Sequence, residues 1–363
     1  MLTERKQPFM PSMKNRSAKA RMECASDWIA QQSCRGPIRP YARVTIGTGS
    51  VVAWSVIIRN NLIYTVSFVL IIFNGCQSTV PEFNSDRAFG FLEQQCDFGP
   101  RNPGSTGYYQ CRDFLIGELQ AGADTVIQQQ FQLTDPISGE EYQLTNLIGR
   151  YNPQAEKRVL LGAHWDTRPW ADLDPDVAQR MEPILGANDG ASGVAVLLEL
   201  VRLMKLKPPP IGVEIVFFDG EDMGLSGDPR SFARGSLTFA SDLPIPKPDQ
   251  AIIIDMIGDA DLSIPVERYS MQQNPNLVRE LWGLARDLDL PAFENRVANA
   301  IFDDHIPLWE EAGIPAVDLI DFFYPNRYMN FWHTHQDLPH NCSPASLGQV
   351  GTLLTYYIYK DSD

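Results

Sequence analysis

Three short apolar runs, each closing on an acid or an imidazole, limit what this chain can fold into. They are VLLGAHWD (159–166), VEIVFFDGED (213–222) and AIIIDMIGD (251–259). Each has the length and β-branched content of a strand buried on both faces, the sequence form of a parallel sheet. In open sheets of this kind ligands bind at the carboxyl ends of the strands. His164, Glu221, Asp222 and Asp255 fall at or near those ends. Two further blocks, Asn188-Asp189-Gly190 before an apolar helix and Trp332-His333 near the C-terminus, add another acid and another imidazole. Zn²⁺ takes imidazole nitrogen and carboxylate oxygen as ligands, so the pattern points to a metalloenzyme.

Around these runs the periodicity alternates between strand and helix. Ser85–Gln95 and Gly107–Leu119 have helical spacing, with the turn-rich DFGPRNPGSTG between them. Thr125–Leu133 and Tyr142–Arg150 alternate as strands joined through Asp135-Pro-Ile-Ser-Gly139, a hairpin signal. After His164 come a loop rich in Asp and Pro (Arg168–Leu185) and a helix from about Ala191 to Lys205. A Gly/Ser/Pro-rich excursion separates strand Val213–Phe218 from strand Ala251–Asp255. Pro275–Leu288 and Pro307–Ala312 read as helices, Ala316–Ile320 as a strand and Pro344–Tyr359 as the closing helix. The expectation is an α/β protein: a three-layer α/β/α sandwich with a mixed, mostly parallel central sheet. Residues 77–363 form one catalytic domain in this reading, with no internal repeat.

Charge excludes some partners. Residues 1–60 carry ten Lys/Arg and three Asp/Glu, which leaves 20 basic and 42 acidic residues in the remainder. A body with a balance of −22 argues against nucleic acid or an anionic membrane surface as partner and favours neutral or cationic substrates. The six cysteines contain no CxxC pair, so a Cys-zinc site is not expected. Cys96 and Cys111 flank a turn-rich stretch and have two readings, a disulfide or two free thiols on packed helices.

Residues 1–55 are basic and lack periodicity, as expected of a disordered tail or an over-long leader. Leu62–Phe73 is a twelve-residue apolar run preceded by Arg59 and followed by Asn74-Gly75-Cys76. That is short for a bilayer span and suits the apolar region of a signal peptide. Residues 56–76 then read as a signal peptide whose Cys76 sits in a lipobox-like setting, with Asn74 a departure from it. This predicts export to a bacterial cell envelope, with membrane attachment only through lipid at Cys76. A cleaved signal and an uncleaved anchor are the other readings.

Singly, each block has a plainer explanation. Asn-Asp-Gly is commonly a turn or helix cap, paired acids after a strand are commonly solvated charge, and a His beside aromatics is commonly a packed core residue. Their joint order along an α/β chain is what carries the chemistry. A helix N-terminus would keep Asp189 ionised, as a ligand must be. In Glu221-Asp222 one acid can hold metal while the other moves protons.

From about Phe91 to Tyr359 the chain resembles the zinc-dependent glutaminyl cyclases of animals and some bacteria, which share a fold with co-catalytic zinc aminopeptidases. The likeness is closest in GAHWDTRPWADLDPD (162–176), GANDGASGVAVLLEL (186–200), FFDGED (217–222), IDMIGD (254–259), FDDHIPLW (302–309) and FWHTHQD (331–337). The resemblance implies that Asp189, Asp222 and His333 hold one zinc per chain. It makes Glu221 the general acid/base and puts Asp255 and Asp303 in an acidic network beside it. Asp303-Asp304-His305 stands where the aminopeptidases have Ser-Asp-His, and the extra Asp is a cyclase trait; sharing a proton with Asp255, it would disfavour a second zinc. Substrates would be peptides or proteins with an N-terminal Gln. Three features depart from the animal enzymes: Asp rather than Glu at 222, Asp318 in place of a His, and Met223-Gly-Leu-Ser-Gly227 in place of a Trp. The pocket's aromatic surface would then come from Trp332 and Trp170. His164 and Asp166 are possible second-metal or supporting residues, Asp166 by orienting the His. If His164, Asp189, Asp222, Asp255 and His333 hold two zincs, the reading becomes an aminopeptidase. A catalytically inactive binding ectodomain is a third reading.

Overall fold

The structure, a computed structural model, describes residues 80–360, all within one unit, Ile72–Asp363. The leader, the signal segment and Cys76 lie outside the described residues. In chain order the strands are β1 (Thr125–Thr134), β2 (Glu141–Tyr151), β3 (Arg158–His164), β4 (Gly212–Phe218), β5 (Gln250–Asp255), β6 (Ile264–Val266), β7 (Phe293–Val297), β8 (Ala316–Ile320), β9 (Pro325–Asn326) and β10 (Met329–Asn330). The helices are α1 (Ser85–Asp97), α2 (Thr106–Gly122), α3 (Ala191–Leu206), α4 (Arg234–Ser241), α5 (Arg268–Gln273), α6 (Pro275–Asp287), α7 (His305–Glu310) and α8 (Pro344–Tyr359).

Six strands form the main sheet in the order β1-β2-β4-β3-β5-β8. The β1–β2 hairpin is antiparallel and joins β4 antiparallel, while β4, β3, β5 and β8 run parallel. β3 and β4 are buried along nearly their whole length, as their continuous apolar runs require. In register, His164 pairs with Phe218 and Asp255 with Ile320, so the chemistry-bearing ends form one edge. From β3 the chain steps to β4 on one side and then crosses to β5 on the other. That reversal places a crevice at the carboxyl edge of the central strands.

Helices cover both faces. On one, α1, α2, α3 and α8 pack around Leu92, Leu115, Leu197 and Leu354. On the other, α4 and α7 contribute Phe239 and Leu308 to a smaller cluster with Ile148, Val216 and Ile253. The mixed, mostly parallel α/β/α sandwich is the architecture of the chain. Cys96, Cys111 and Cys342 are buried free thiols, so Cys96 and Cys111 take the packed-thiol alternative rather than a disulfide. No helix among the described residues is long and apolar enough to cross a membrane.

Two details position the site. Gly193 on α3 faces the sheet so closely that a Cβ there would lie 2.4 Å from the Ile254 carbonyl oxygen. α3, which follows Asp189, is thereby seated directly on β5, which ends in Asp255. Gly190, at φ 98°, supplies the left-handed turn that starts the helix.

Candidate metal centre and active site

The carboxyl edge brings Asp189, Asp222 and His333 together in a buried cluster whose donor atoms lie within 4.8 Å of one another. His333 Nε2 is 3.2 Å from Asp222 Oδ1 and 3.8 Å from Asp189 Oδ2. Asp189 Oδ2 and Asp222 Oδ2 are buried without a hydrogen-bond partner. Two carboxylates, each with an orphaned oxygen, clustered with one imidazole fit a divalent cation such as zinc. His333 adopts φ 57°. A non-glycine residue in that region is strained and depends on its surroundings to hold it. Here the ring packs between Trp332 and Phe232, and Leu173 donates its N–H to the His333 carbonyl.

Residues behind the cluster fix its ligands. His333 Nδ1 lies 3.3 Å from Asp172 Oδ1, and Asp172 takes a two-point contact from Arg168 at 2.8 Å each. Arg168 also donates to the Asp222 carbonyl and to Asp222 Oδ1. Burial works against ionisation of Asp172, but Arg168 and His333 overcome it and hold the carboxyl well below its usual range. An ionised acid on the outer nitrogen of a metal-binding imidazole sets its tautomer and its aim. Asp166 receives the backbone N–H groups of Glu221 and Asp222 at 3.1 and 3.2 Å and stands 3.6 Å from His164 Nδ1. Asp337 receives those of Asn188 and Asp189 at 2.7 and 3.1 Å. Arg101, fully buried, donates to the carbonyls of Trp165, Leu185 and Gly186 and locks the turn before Asp189. The sequence reading did not single out Asp172, Arg168, Asp337 or Arg101. Two of them had a signal: Asp172 follows His164-Trp-Asp166 in an acid-rich segment, and Asp337 is four residues after His333.

A second donor set shares Asp189. His164 Nε2 is 3.1 Å from Asp189 Oδ1 and 3.1 Å from Asp255 Oδ1. Burial disfavours a charged His164, yet the three acids around it raise its proton affinity well above the ordinary. The position therefore suits an imidazolium as well as a second ion. Asp303 stands near Asp255, whose charge acts on it. Its Oδ1 accepts the Asp304 N–H at 2.6 Å and its Oδ2 is unpartnered. Burial and the charge of Asp255 nonetheless push its pKa up to about 6.

The cluster floors a cavity of about 300 Å³ lined by Glu221, Asp255 and Asp303 below and by Leu173, Phe232, Ile301, Phe302, Phe322 and Trp332 above. Burial, Asp303 and Asp222 push the Glu221 carboxyl well above its usual pKa, with His164 opposing. Trp332 forms part of the wall as the sequence suggested. Trp170 does not line the cavity: its ring packs 5.3 Å from the Arg168 guanidinium, which also lies 5.2 Å from the ring of the wall residue Phe232.

A model of peptidase family M28 matches residues 146–358, more than half of the chain. The chain belongs to this family. The glutaminyl-peptide cyclotransferase of Bos taurus is 26% identical over 294 residues, which span 72% of this chain and 78% of that protein. The crystal structure of Tannerella forsythia glutaminyl cyclase has a TM-score of 0.74 at 36% identity, covering 77% of this chain and 100% of that one. A structure titled leucine aminopeptidase precursor, from Bacteroides thetaiotaomicron, has a TM-score of 0.73 at 34% identity, covering 78% of this chain and 99% of that one.

Proposed function

We propose that this chain is a zinc-dependent glutaminyl-peptide cyclotransferase, which closes the N-terminal Gln of a peptide or protein to pyroglutamate and releases ammonia. The observation that carries the reading is the Asp189–Asp222–His333 cluster with Glu221 beside it under an apolar pocket, in a chain similar over its full folded length to glutaminyl cyclases. Asp189, Asp222 and His333 would hold the metal. Bound there, zinc supplies a Lewis acid for the γ-carbonyl oxygen. Glu221, with its raised proton affinity, takes a proton from the α-amine and delivers it to the departing ammonia. Asp255 and Asp303 line the floor beside it, where their charge favours an amine, and Asp303 sustains the proton affinity of Glu221. The apolar wall with Trp332 excludes water and folds the short side chain back on its own amine. Attack is intramolecular, so holding the near-attack geometry is most of the task. No external water serves as nucleophile, and one zinc per chain is enough.

The shared donor set at His164 and Asp255 favours a second reading, a two-zinc aminopeptidase. Metal content and product analysis on one preparation separate them. The cyclase reading expects about one zinc per chain, pyroglutamyl product and ammonia from Gln-peptides, and no cleavage of amino-acid anilides. Two tightly held zincs with release of free N-terminal residues would replace it. An inert binding ectodomain would give neither product; the filled ligand set and the base speak against it.

Export and lipidation at Cys76 complete the proposal, on the strength of Arg59, the apolar run and the Cys76 setting. Cys76→Ser should move the protein from the membrane fraction to the soluble periplasmic fraction. Retention on the membrane with residues 1–75 attached would mark the segment as an uncleaved anchor.

A further inference from the structure

We propose that β1 is a self-pairing edge, at which two copies of this chain join their sheets about a two-fold axis. β1 ends the main sheet, and among the described residues its one strand partner is β2. The opposite end, β8, is buried along its whole length, with α5 and α7 against it. In an antiparallel pair every second residue turns its N–H and C=O away from the neighbouring strand. Asp135 N–H donates to the Glu140 carbonyl at 2.8 Å, and Thr145, opposite Gln130, turns its N–H away from β1 to Asp219 at 2.6 Å. The even-numbered residues of β1, from Val126 to Thr134, therefore aim their backbone groups outward.

This edge lacks the devices that keep sheets apart. Natural edge strands are short, bulged, or interrupted by proline or charge, because a bare edge is a template for another strand. β1 runs ten residues, TVIQQQFQLT, in unbroken register with β2, and contains no proline, glycine or charged side chain. Gln128, Gln130 and Gln132 are exposed along it.

The same residues select a second copy as the occupant. Antiparallel pairing about a two-fold axis at Gln130 sets Gln130 against its own counterpart, Gln128 against Gln132 and Val126 against Thr134. Each glutamine amide carries both donor and acceptor, so glutamine complements glutamine. On the other face Ile127 meets Leu133. A patch complementary to itself is what a two-fold contact requires. Charge agrees. Beyond residue 60 the chain carries 20 basic and 42 acidic residues, so two copies repel over most of their surface. The uncharged strand is where they can meet. No residue that lines the pocket belongs to β1, so this inference concerns assembly and stands apart from the cyclase reading.

Sedimentation equilibrium of the full chain in density-matched detergent tests it. The wild type should show twice the mass of one chain. Gln130→Lys sets like charges directly opposite each other across the axis and should give the single-chain mass. Gln128→Lys should also separate the copies, and adding Gln132→Glu should rejoin them, because those two positions face each other. Hydrogen exchange gives a reading that needs no variant: the N–H groups of Gln128, Gln130 and Gln132 should be protected in the wild type. A single-chain mass for the wild type, or fast exchange at those three groups, overturns the proposal. So does a doubled mass that Gln130→Lys leaves intact, or a failure of Gln132→Glu to rejoin the copies.

Discussion

Glu221 and Asp222 are adjacent, buried and acidic, yet they meet different neighbours. Asp222 faces His333 and Arg168, whereas Glu221 faces the cavity among Asp255, Asp303 and His164. Substitution should separate their roles. Glu221→Gln preserves shape and removes the base, so zinc content should stay and turnover should fall by roughly 10²–10⁴-fold. Asp222→Ala should lose the metal itself. Near wild-type turnover in Glu221→Gln would take the acid/base role away from it. Asp337 offers a subtler test. It touches no metal-facing atom, but its carboxylate grips the backbone of Asn188 and Asp189 while its own segment carries His333. Asp337→Ala should weaken zinc binding by about 10–100-fold, as loss of supporting partners does elsewhere, read by competition with a chelator. Unchanged zinc affinity with a lowered melting temperature would make Asp337 a purely structural residue.

At the level of elements, the contact between α3 and β5 decides how two donor-bearing segments meet. Gly193→Ala would place a methyl 2.4 Å from the Ile254 carbonyl oxygen and 2.9 Å from the Ala163 Cβ. Neither the Ile254 carbonyl nor the short Ala163 side chain can yield cheaply, so a cost of about 1–3 kcal/mol is expected from overpacking, measured by urea denaturation. Wild-type stability would mean that α3 can slide without penalty. α3 and the central strands were legible in the sequence because continuous apolar runs and a glycine start leave few alternatives. The elements that escaped have weaker local signals. α4 lies inside the Gly/Ser/Pro-rich excursion and starts from Ala233 in a left-handed conformation, with no side-chain cap. α7 begins at His305 and ends at Glu310 rather than spanning Pro307–Ala312, because a proline is tolerated in the first turn of a helix. The ligand candidates stood out since each follows a strand or opens a helix. Arg168 did not, because nothing in a loop's composition tells which of its charges turn inward. Trp170 misled for the same reason: an aromatic near a site can line a pocket or back it.

Over the whole molecule, burial of acids couples folding to pH. Asp321, just past the end of β8, is buried and has its pKa pushed up to about 7, by burial first and by nearby Asp259 as well. Its oxygens accept from the Ser263 and Phe323 N–H groups, which lowers the shift without cancelling it. The unfolded carboxyl titrates near 3.8. Between that value and about 7 the folded chain keeps a proton that the unfolded chain has lost. Stability from this group is therefore full below the unfolded value, falls as pH rises through the window, and levels off above the folded value. Two pH units inside the window correspond to about 1–3 kcal/mol. Asp321→Asn removes the titration while keeping one acceptor. Relative to wild type, the variant should gain stability from pH 5 to pH 8 in urea melts followed by tryptophan fluorescence. A constant difference between the two proteins across that range would show that Asp321 is already ionised in the fold at pH 5, and that burial is outweighed there by its two backbone donors.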